Sequence, residues 1–364
     1  MKITDIKVHV IKPFGALKNV NGWETKKYVY SYVQVLTDVG IDGWALSALT
    51  GGSPLALESS IQWIKKSIVG MDALNREQVY RELHFGGSFF RLNRFFSSAI
   101  DFCLWDIAGK AFGVPVYQLI GGFRDKIRAY GSSVAYDNIE EYLDDVQKAA
   151  DQGYTAYKLH GFNNLAEDIQ LCEAARERFP AMDFLIDTLC YYDRKDALTL
   201  GRVLDRMNFV WYEDPLREED HEGWRMLRSK LDLPLANGEM DQLGFLNYQN
   251  YITQKSADII RPFGDYMGGI TPMLKTAHLC ETFFIGFEPH SFGPSMVQIA
   301  HLHVMLAVPS CTFFEIPVPE GFYDHGMKDG LHVDKDGYIH APTEPGLGYQ
   351  LDFDWIANNT ERVL

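Results

Sequence analysis

Three acidic residues stand at equal intervals in the middle of the chain, each closing a short apolar stretch. Asp187 ends the run LID, Glu213 lies in WYED and Glu239 ends NGE, and each step along this series is 26 residues. Neighbouring carboxylates raise one another's pKa unless a counter-charge lies between them. Carboxylate oxygens suit Mg²⁺ better than Zn²⁺, which prefers His and Cys ligands. The three residues therefore predict a site for one Mg²⁺ ion.

Basic side chains with acid–base chemistry flank this series in the sequence. Lys158 and His160 alternate in YKLH, so they share one face of a strand, and His290 follows another apolar run in EPHS. A metal can hold a substrate carboxylate and stabilise the enediolate formed when an α-proton leaves, and a nearby base can take that proton. Each polar strand end could instead cap a helix or bind backbone, but the set favours catalysis.

Short apolar segments alternate with helix-length segments from about residue 127 onward. Eight such units are typical of a (β/α)8 barrel, whose functional residues lie at the carboxyl ends of the strands. An open doubly wound sheet is the alternative, but the chain lacks the glycine-rich phosphate turn of that fold. The predicted strands are Ile127–Ser132, Ala156–His160, Asp183–Asp187, Phe209–Asp214, Leu235–Glu239, Ala257–Pro262, Phe284–His290 and Cys311–Glu315.

The regions before and after these units have a different pattern. Ile3–Ile11 and Tyr28–Thr37 alternate as antiparallel strands and are followed by helices, which is an α+β pattern. The tail beyond Tyr323 predicts a hairpin and a proline-rich segment that packs on the first domain. We therefore predict an α/β protein: a TIM-type barrel over 126–320, an α+β capping domain over 1–125, and a C-terminal segment, 321–364, that completes the cap.

The overall composition excludes several classes of protein. The formal net charge is -15 and no Lys/Arg run forms a basic patch, so we expect no nucleic-acid partner. No apolar run reaches the roughly 18 residues that a membrane span needs, and the N-terminus lacks an apolar signal core. Five scattered cysteines without a C-x-x-C motif indicate free thiols in a reducing compartment. These features predict a cytoplasmic protein.

The motifs YKLH, LID, WYEDP, NGE, MGGIT, EPHS and FFE together resemble the mandelate racemase-like branch of the enolase superfamily, over essentially the whole chain. The resemblance implies a capped barrel that assembles as a homo-oligomer. It implies that the three spaced carboxylates hold Mg²⁺ and that Lys158 and His160 occupy the family's strand-two Lys-x-Lys position. It also implies that His290 is the strand-seven histidine and that Glu315 binds the substrate carboxylate or the enediolate.

Three positions depart from the family pattern. His160 replaces the second lysine, and histidine can still act as a base near neutral pH. Phe263 stands where the family often has an aspartate that orients the strand-seven histidine, and Asp265 is a candidate to replace it. Leu189 stands where an Asp-x-Asn motif would place an amide. Without a carboxylate partner, His290 is better suited to donate a proton than to take one.

These departures favour a one-sided elimination over a strict racemisation. We expect dehydration of a sugar acid to a 2-keto-3-deoxy acid, in which His160 or Lys158 removes the α-proton and His290 protonates the leaving hydroxyl. The alternatives are a racemase, epimerase or lactone cycloisomerase, and a metal-binding barrel without catalysis. Candidate substrate-binding residues are Glu315, Arg261, Asp265 and Trp23. Candidate pocket walls on the cap are Trp23, Tyr28, Phe85 and Phe89.

Overall fold

The computed structural model describes residues 1–12, 29–49, 54–86, 94–241, 245–321 and 323–364. Within these ranges the strands form two sheets, one of four strands and one of nine. No helix in the described ranges is long and apolar enough to cross a membrane. All five cysteines are free, and four of them are buried.

The smaller sheet lies at the N-terminus and is antiparallel. It begins with β1 (Ile3–Ile11), β2 (Val29–Thr37) and β3 (Gly43–Leu49), as the alternating pattern predicts. The helices that follow are α1 (Pro54–Ile68), α2 (Arg76–Arg81), which continues as a π-helical turn over Glu82–Gly86, α3 (Arg94–Phe112) and α4 (Val116–Leu119).

Helix α3 joins the small sheet to the rest of the molecule. Its apolar residues are buried on several faces, including Ile100, Leu104 and Ala108. Trp105 Nε1 donates a hydrogen bond of 3.0 Å to Thr271 Oγ1. A helix that is covered on all sides needs apolar residues all round, which explains the absence of a polar stripe in FFSSAIDFCLWDIAGKAFG.

The larger sheet contains eight parallel strands in the spatial order β11-β4-β5-β6-β7-β8-β9-β10. The end strands β10 and β11 approach each other, since Phe287 N–H donates to Ser310 O at 3.1 Å. The strands are β4 (Lys126–Ser132), β5 (Ala156–His160), β6 (Asp183–Asp187), β7 (Tyr212–Glu213), β8 (Leu235–Asn237), β9 (Ile259–Ile260), β10 (Gly286–Phe287) and β11 (Phe313–Pro317). This is the predicted barrel, although β7 to β10 are shorter than the sequence pattern suggests.

Helices connect successive strands and cover the outside of the barrel. Asn138, Asn164, Asp193 and Asp220 cap four of them by accepting backbone N–H bonds. The helices are α5 (Ile139–Gln152), α6 (Leu165–Arg178), α7 (Arg194–Arg206), α8 (His221–Arg228), α9 (Phe245–Thr253), the short α10 (Gly264–Met267), α11 (Ile270–Phe283) and α12 (Ser295–Ala307).

An apolar layer fills the barrel below its carboxyl rim. It is formed by Tyr130, Ala156, Leu185, Trp211, Ala236 and Phe313. On most of these strands the residue two positions later is polar. Because side chains alternate along a strand, that residue points into the same interior one layer higher. The layer therefore forms the floor beneath the predicted site.

The C-terminal segment differs in part from our expectation. Strand β12 (Tyr338–His340) does not form a local hairpin but pairs antiparallel with β4 of the barrel. Helix α13 (Phe353–Asn359) and strand β13 (Thr360–Val363) follow, and β13 pairs with β1 in the small sheet. The tail thus pairs with both sheets, through β12 on the barrel strand β4 and through β13 on β1 of the small sheet.

Candidate active site

Lys158 lies in the barrel interior and contacts three carboxylates at once. Its Nζ is 2.7 Å from Glu315 Oε1, 3.1 Å from Glu213 Oε2 and 3.6 Å from Asp187 Oδ2. Lys158 thus lies among the carboxylates that it flanks in the sequence. Burial alone would lower the pKa of Lys158, but Glu213 and Glu315 outweigh it and raise that pKa well above its usual value.

The three predicted metal ligands lie at the carboxyl rim on adjacent strands β6, β7 and the end of β8. Burial raises the pKa of Glu213, and the nearby Asp187 adds to the increase. The pKa of Asp187 falls to about 2 despite its burial, because Lys158 and His160 favour the charged form. Each carboxylate is therefore influenced by the charge of its neighbours, as their spacing predicts.

These residues fit a divalent cation in the chemistry of their donors. Asp187, Glu213 and Glu239 each offer carboxylate oxygens at or just after the ends of three neighbouring strands. Oxygen donors of this kind are those that Mg²⁺ prefers.

The ligand atoms that already lie close together form a different triad. Among the described residues, Glu213, Glu239 and His290 each offer an atom within 4.8 Å of the others, and Asp187 is not in this group. Asp187 Oδ2 instead faces the side chains of Lys158 and His160, at 3.6 and 3.4 Å. The position of Asp187 as a ligand thus stays a prediction.

His160 ends β5 and lies just above Lys158 on the same face. Its Nε2 is 3.4 Å from Asp187 Oδ2, and its Nδ1 is 3.4 Å from Ser133 Oγ. Ser133 Oγ also accepts the backbone N–H of His160 at 3.0 Å. The sequence did not identify Ser133. Its only signal was its place directly after β4, at the same rim.

His290 follows β10 and lies at another point of the rim. Its Nδ1 is 2.9 Å from Glu239 Oε2, a charge contact without hydrogen-bond alignment, and its Nε2–H donates to Phe292 O at 3.2 Å. Burial would lower the pKa of His290, but Glu239 and Glu315 reverse the effect and raise it. His290 therefore has a carboxylate neighbour, although one from β8 and not from the strand-six position.

Asp265 does not replace the missing strand-six aspartate as a hydrogen-bond partner of His290. Neither carboxylate oxygen of Asp265 has a hydrogen-bond partner, although the side chain is 1% exposed. Burial raises the pKa of Asp265 to about 8, and the charge of His290 lowers it only in part. Phe263 packs edge-on against the His290 ring, with 4.7 Å between ring centroids. An apolar contact thus occupies the place where the family often has a carboxylate.

Arg261 and Glu315 are both buried at the strand ends. The guanidinium donates to Glu213, Glu315 and the backbone carbonyl of Glu288, one acceptor for each nitrogen. With 1% exposure and these partners, the arrangement gives no support to Arg261 as a substrate-binding residue. Glu315 Oε2 also accepts the backbone N–H of Ser291 at 2.9 Å.

Other predicted positions add less to the site. Trp23, Tyr28 and Phe89 lie outside the described residues, and Phe85 is 59% exposed.

The sequence identified Asp214 only as the last residue of a predicted strand. In the structure its side chain is buried, its Oδ1 has no hydrogen-bond partner, and its backbone has a left-handed φ of 42°. Burial raises the pKa of Asp214 well above its usual value, and Asp187 adds to this effect. An acid directly after a predicted ligand was the only sequence signal for it.

The chain matches two family models that together span most of its length. Residues 10–121 match the mandelate racemase/muconate lactonizing enzyme N-terminal domain, and residues 141–355 match the enolase C-terminal domain-like family. The D-galactonate dehydratase of Verminephrobacter eiseniae is 28% identical over 348 residues, which cover 89% of each chain. The L-talarate/galactarate dehydratase of Salmonella typhimurium is 30% identical over 73% of this chain and 67% of its own.

Solved structures show the same architecture. The D-glucarate dehydratase of Agrobacterium tumefaciens in complex with magnesium superimposes with a TM-score of 0.88 at 31% identity, over 100% of both chains. The 3,6-anhydro-D-galactonate cycloisomerase of Zobellia galactanivorans gives a TM-score of 0.86 at 25% identity, also over 100% of both chains. The resemblance found in the motifs and the predicted capped barrel are both confirmed. The chain belongs to the mandelate racemase/muconate lactonizing enzyme family of the enolase superfamily.

Proposed function

We propose that the protein is a Mg²⁺-dependent hydro-lyase that dehydrates a sugar acid to a 2-keto-3-deoxy acid. The observation that carries this proposal is the pair of histidines at separate points of one acidic rim, His160 beside Asp187 and His290 beside Glu239. An elimination needs a base and an acid at different substrate atoms, and such a pair can supply both. The sugar-acid class is supported by relatives named D-galactonate and L-talarate/galactarate dehydratase.

His160 is the proposed base for the first half of the reaction. The ammonium group of Lys158 is fully buried and surrounded by three carboxylates, so it stays protonated and supplies positive charge. His160 lies one layer higher on the same face, where its ring can take the α-proton. When bound at Asp187, Glu213 and Glu239, Mg²⁺ supplies further positive charge that stabilises the anion formed by this step.

His290 is the proposed acid for the second half. Glu239 and Glu315 raise the pKa of His290 against the effect of burial, which favours the protonated ring that an acid needs. The proton passes to the hydroxyl on the β-carbon as the carbon–oxygen bond breaks, and water leaves. The resulting enol gains a proton at carbon three and becomes the 2-keto-3-deoxy acid. His160 and His290 end the cycle with their protons exchanged, and solvent restores both.

Cycloisomerisation of a related acid is the second candidate. The structural similarity to the 3,6-anhydro-D-galactonate cycloisomerase favours it, since that enzyme shares the capped barrel over the whole chain. Such a reaction would also use one base and one acid, but no water would leave, so the product would have the same composition as the substrate.

The test is a screen of aldonic and aldaric acids with the purified full-length chain and Mg²⁺ in deuterated water. A 2-keto product that has lost one water from the substrate supports dehydration. A product of unchanged composition, or deuterium in recovered substrate without a keto product, supports isomerisation. Mg²⁺ binding with neither result over the panel contradicts both. We also propose that the chain divides into a capping domain (1–125), a barrel (126–320) and a C-terminal segment (321–364). We further propose that it forms a homo-oligomer in the cytoplasm.

A further inference from the structure

Four buried charged side chains form a closed ring beneath the rim. Around the ring, Lys158 Nζ lies 3.1 Å from Glu213 Oε2, and Glu213 Oε1 lies 2.5 Å from Arg261 Nε. Arg261 Nη2 then lies 3.0 Å from Glu315 Oε2, and Glu315 Oε1 lies 2.7 Å from Lys158 Nζ. Cations and carboxylates alternate, and all four side chains are no more than 1% exposed.

In the ring, each carboxylate contacts Lys158 with one oxygen and Arg261 with the other. Arg261 holds Oε1 of Glu213, whereas Oε2 faces Lys158 and receives Trp211 Nε1–H at 3.3 Å. Glu315 Oε1 accepts Ser132 Oγ–H at 2.8 Å as well as the lysine. Arg261 and Lys158 therefore each connect a proposed metal ligand on β7 with the glutamate on β11, and Arg261 does so through Glu213 Oε1 and Glu315 Oε2.

A guanidinium is suited to this connection because of its shape. Its planar fork donates from several nitrogens in fixed directions, whereas a lysine ammonium is a single point of charge on a flexible stem. Arg261 uses all three nitrogens, with Nη1 donating to Glu288 O at 3.1 Å. Removing one member of a buried ion network leaves an uncompensated charge, so the loss of any one partner disturbs the others.

We propose that Arg261 is a positioning residue that orients Glu213 for the metal and couples metal binding to Glu315. This inference rests on the proposed function, since it takes Glu213 as a metal ligand. Arg261 holds Oε1 of Glu213 while Lys158 and Trp211 hold Oε2, so the plane of this carboxylate is fixed from both sides. A change at Glu315 reaches Glu213 through Arg261 as well as through Lys158, so Arg261 affects metal affinity although it is not a ligand.

The experiment is a double-mutant cycle read out by Mg²⁺ binding in calorimetry of the full-length protein, without substrate. Arg261→Lys keeps the charge but loses the fork, and we expect Mg²⁺ affinity to fall about 10- to 100-fold, as for other residues that orient metal ligands. Glu315→Gln in the native background also weakens Mg²⁺ binding. In the Arg261→Lys background, Glu315→Gln has a smaller effect than in the native background, because only the connection through Lys158 remains.

Arg128→Lys is the matched control, since Arg128 pairs with Asp183 at the opposite end of the barrel strands, 2.8 Å away. It should leave Mg²⁺ affinity unchanged. Unchanged affinity in folded Arg261→Lys, or additive effects of the two substitutions, overturns the proposal. If Arg261→Lys does not fold, Glu315→Gln alone tests the coupling, because Arg261 Nη2 pairs with Glu315 Oε2. Wild-type Mg²⁺ affinity in folded Glu315→Gln then overturns the proposal.

Turnover separates this inference from the proposed function. If the native protein binds Mg²⁺ but forms no keto acid from any sugar acid, the proposed dehydration fails while the coupling can still be measured. If keto acid forms but the cycle is additive, the dehydration stands and the role of Arg261 fails.

Discussion

The two histidine-bearing sides of the rim differ although they carry the same residue type. His160 ends a regular five-residue strand, and its neighbours are Asp187 and Ser133. His290 follows a strand of only two residues and is surrounded by Glu239, the Phe263 ring and the Phe292 carbonyl. In the sheet, β5 and β10 are separated by four strands in one direction and by β4 and β11 in the other.

The difference teaches that acid and base roles come from surroundings and not from residue type. Glu239 and Glu315 raise the pKa of His290 above its usual value against the effect of burial. On the other side, His160 faces Asp187, and the buried ammonium group of Lys158 lies on the same strand face. The surroundings thus favour His290 as the proton donor, which leaves His160 as the proposed base.

The largest effect is expected when the carboxylate beside either histidine is removed. Asp187→Asn or Glu239→Gln should lower kcat/KM for keto-acid formation by at least about 10³-fold, because each removes a proposed metal ligand and a charge neighbour of one histidine. Mg²⁺ calorimetry and the keto-acid assay measure this. Asp183→Asn, at the other end of the same strand as Asp187, should remain active. Normal Mg²⁺ affinity in Asp187→Asn would show that Asp187 is not a ligand.

Replacing each histidine in turn should separate the two half-reactions, removal of the α-proton and loss of the hydroxyl. His290→Asn should lower dehydration by about 10²- to 10⁴-fold and retain α-proton exchange with deuterated solvent. His160→Asn should lose both, because the base is gone. NMR of recovered substrate and product follows both processes. His340→Asn, an exposed histidine paired with Asp334, is the control. Full turnover in His290→Asn would exclude it as the acid.

The pH profile should show the difference without any substitution. Because the pKa of His290 is raised, its protonated form persists above the usual value of about 6.5 and is lost as pH rises through the raised pKa. Dehydration should therefore decline on the alkaline side. Exchange of the α-proton, which does not need His290 as an acid, should lack that decline. Parallel pH profiles for the two processes would contradict the assignment.

The smallest expected effect concerns Asp265, which is found only on the His290 side. Its pKa is raised to about 8 by burial, so the folded state binds a proton that the unfolded state releases above about pH 4. Stability is then lost as pH rises from about 4 to about 8. Asp265→Asn should raise Tm by a few degrees at pH 8 relative to the native protein, and by less at pH 5. Thermal unfolding at both pH values measures this.

A pH-independent change in Tm would show that Asp265 is ionised and partnered in solution. A loss of stability at pH 8 would have the same meaning, since an amide cannot replace a carboxylate that accepts hydrogen bonds from a cation.

Much of the fold followed from local patterns. The predicted strands Ile3–Ile11, Ala156–His160 and Asp183–Asp187 coincide with the observed β1, β5 and β6. The hairpin in the tail was wrong, because Tyr338–His340 finds its partner on β4, more than 200 residues earlier. Local turn signals identify a strand, but they do not contain information about a distant edge that can accept it.

The sequence by itself determined which residues reach the rim. Alternation along β5 placed Lys158 and His160 on one face, and equal spacing placed the three carboxylates on successive barrel units. Only the tertiary structure decided how those residues pair. Arg261 contacts Glu213 and Glu315, and His290 approaches Glu239, so residues from strands that are remote in sequence meet. The lack of a hydrogen-bond partner for the Asp265 carboxylate is likewise visible only in the structure. Periodicity is a local property, whereas charge pairing depends on the distances that barrel closure and side-chain packing impose.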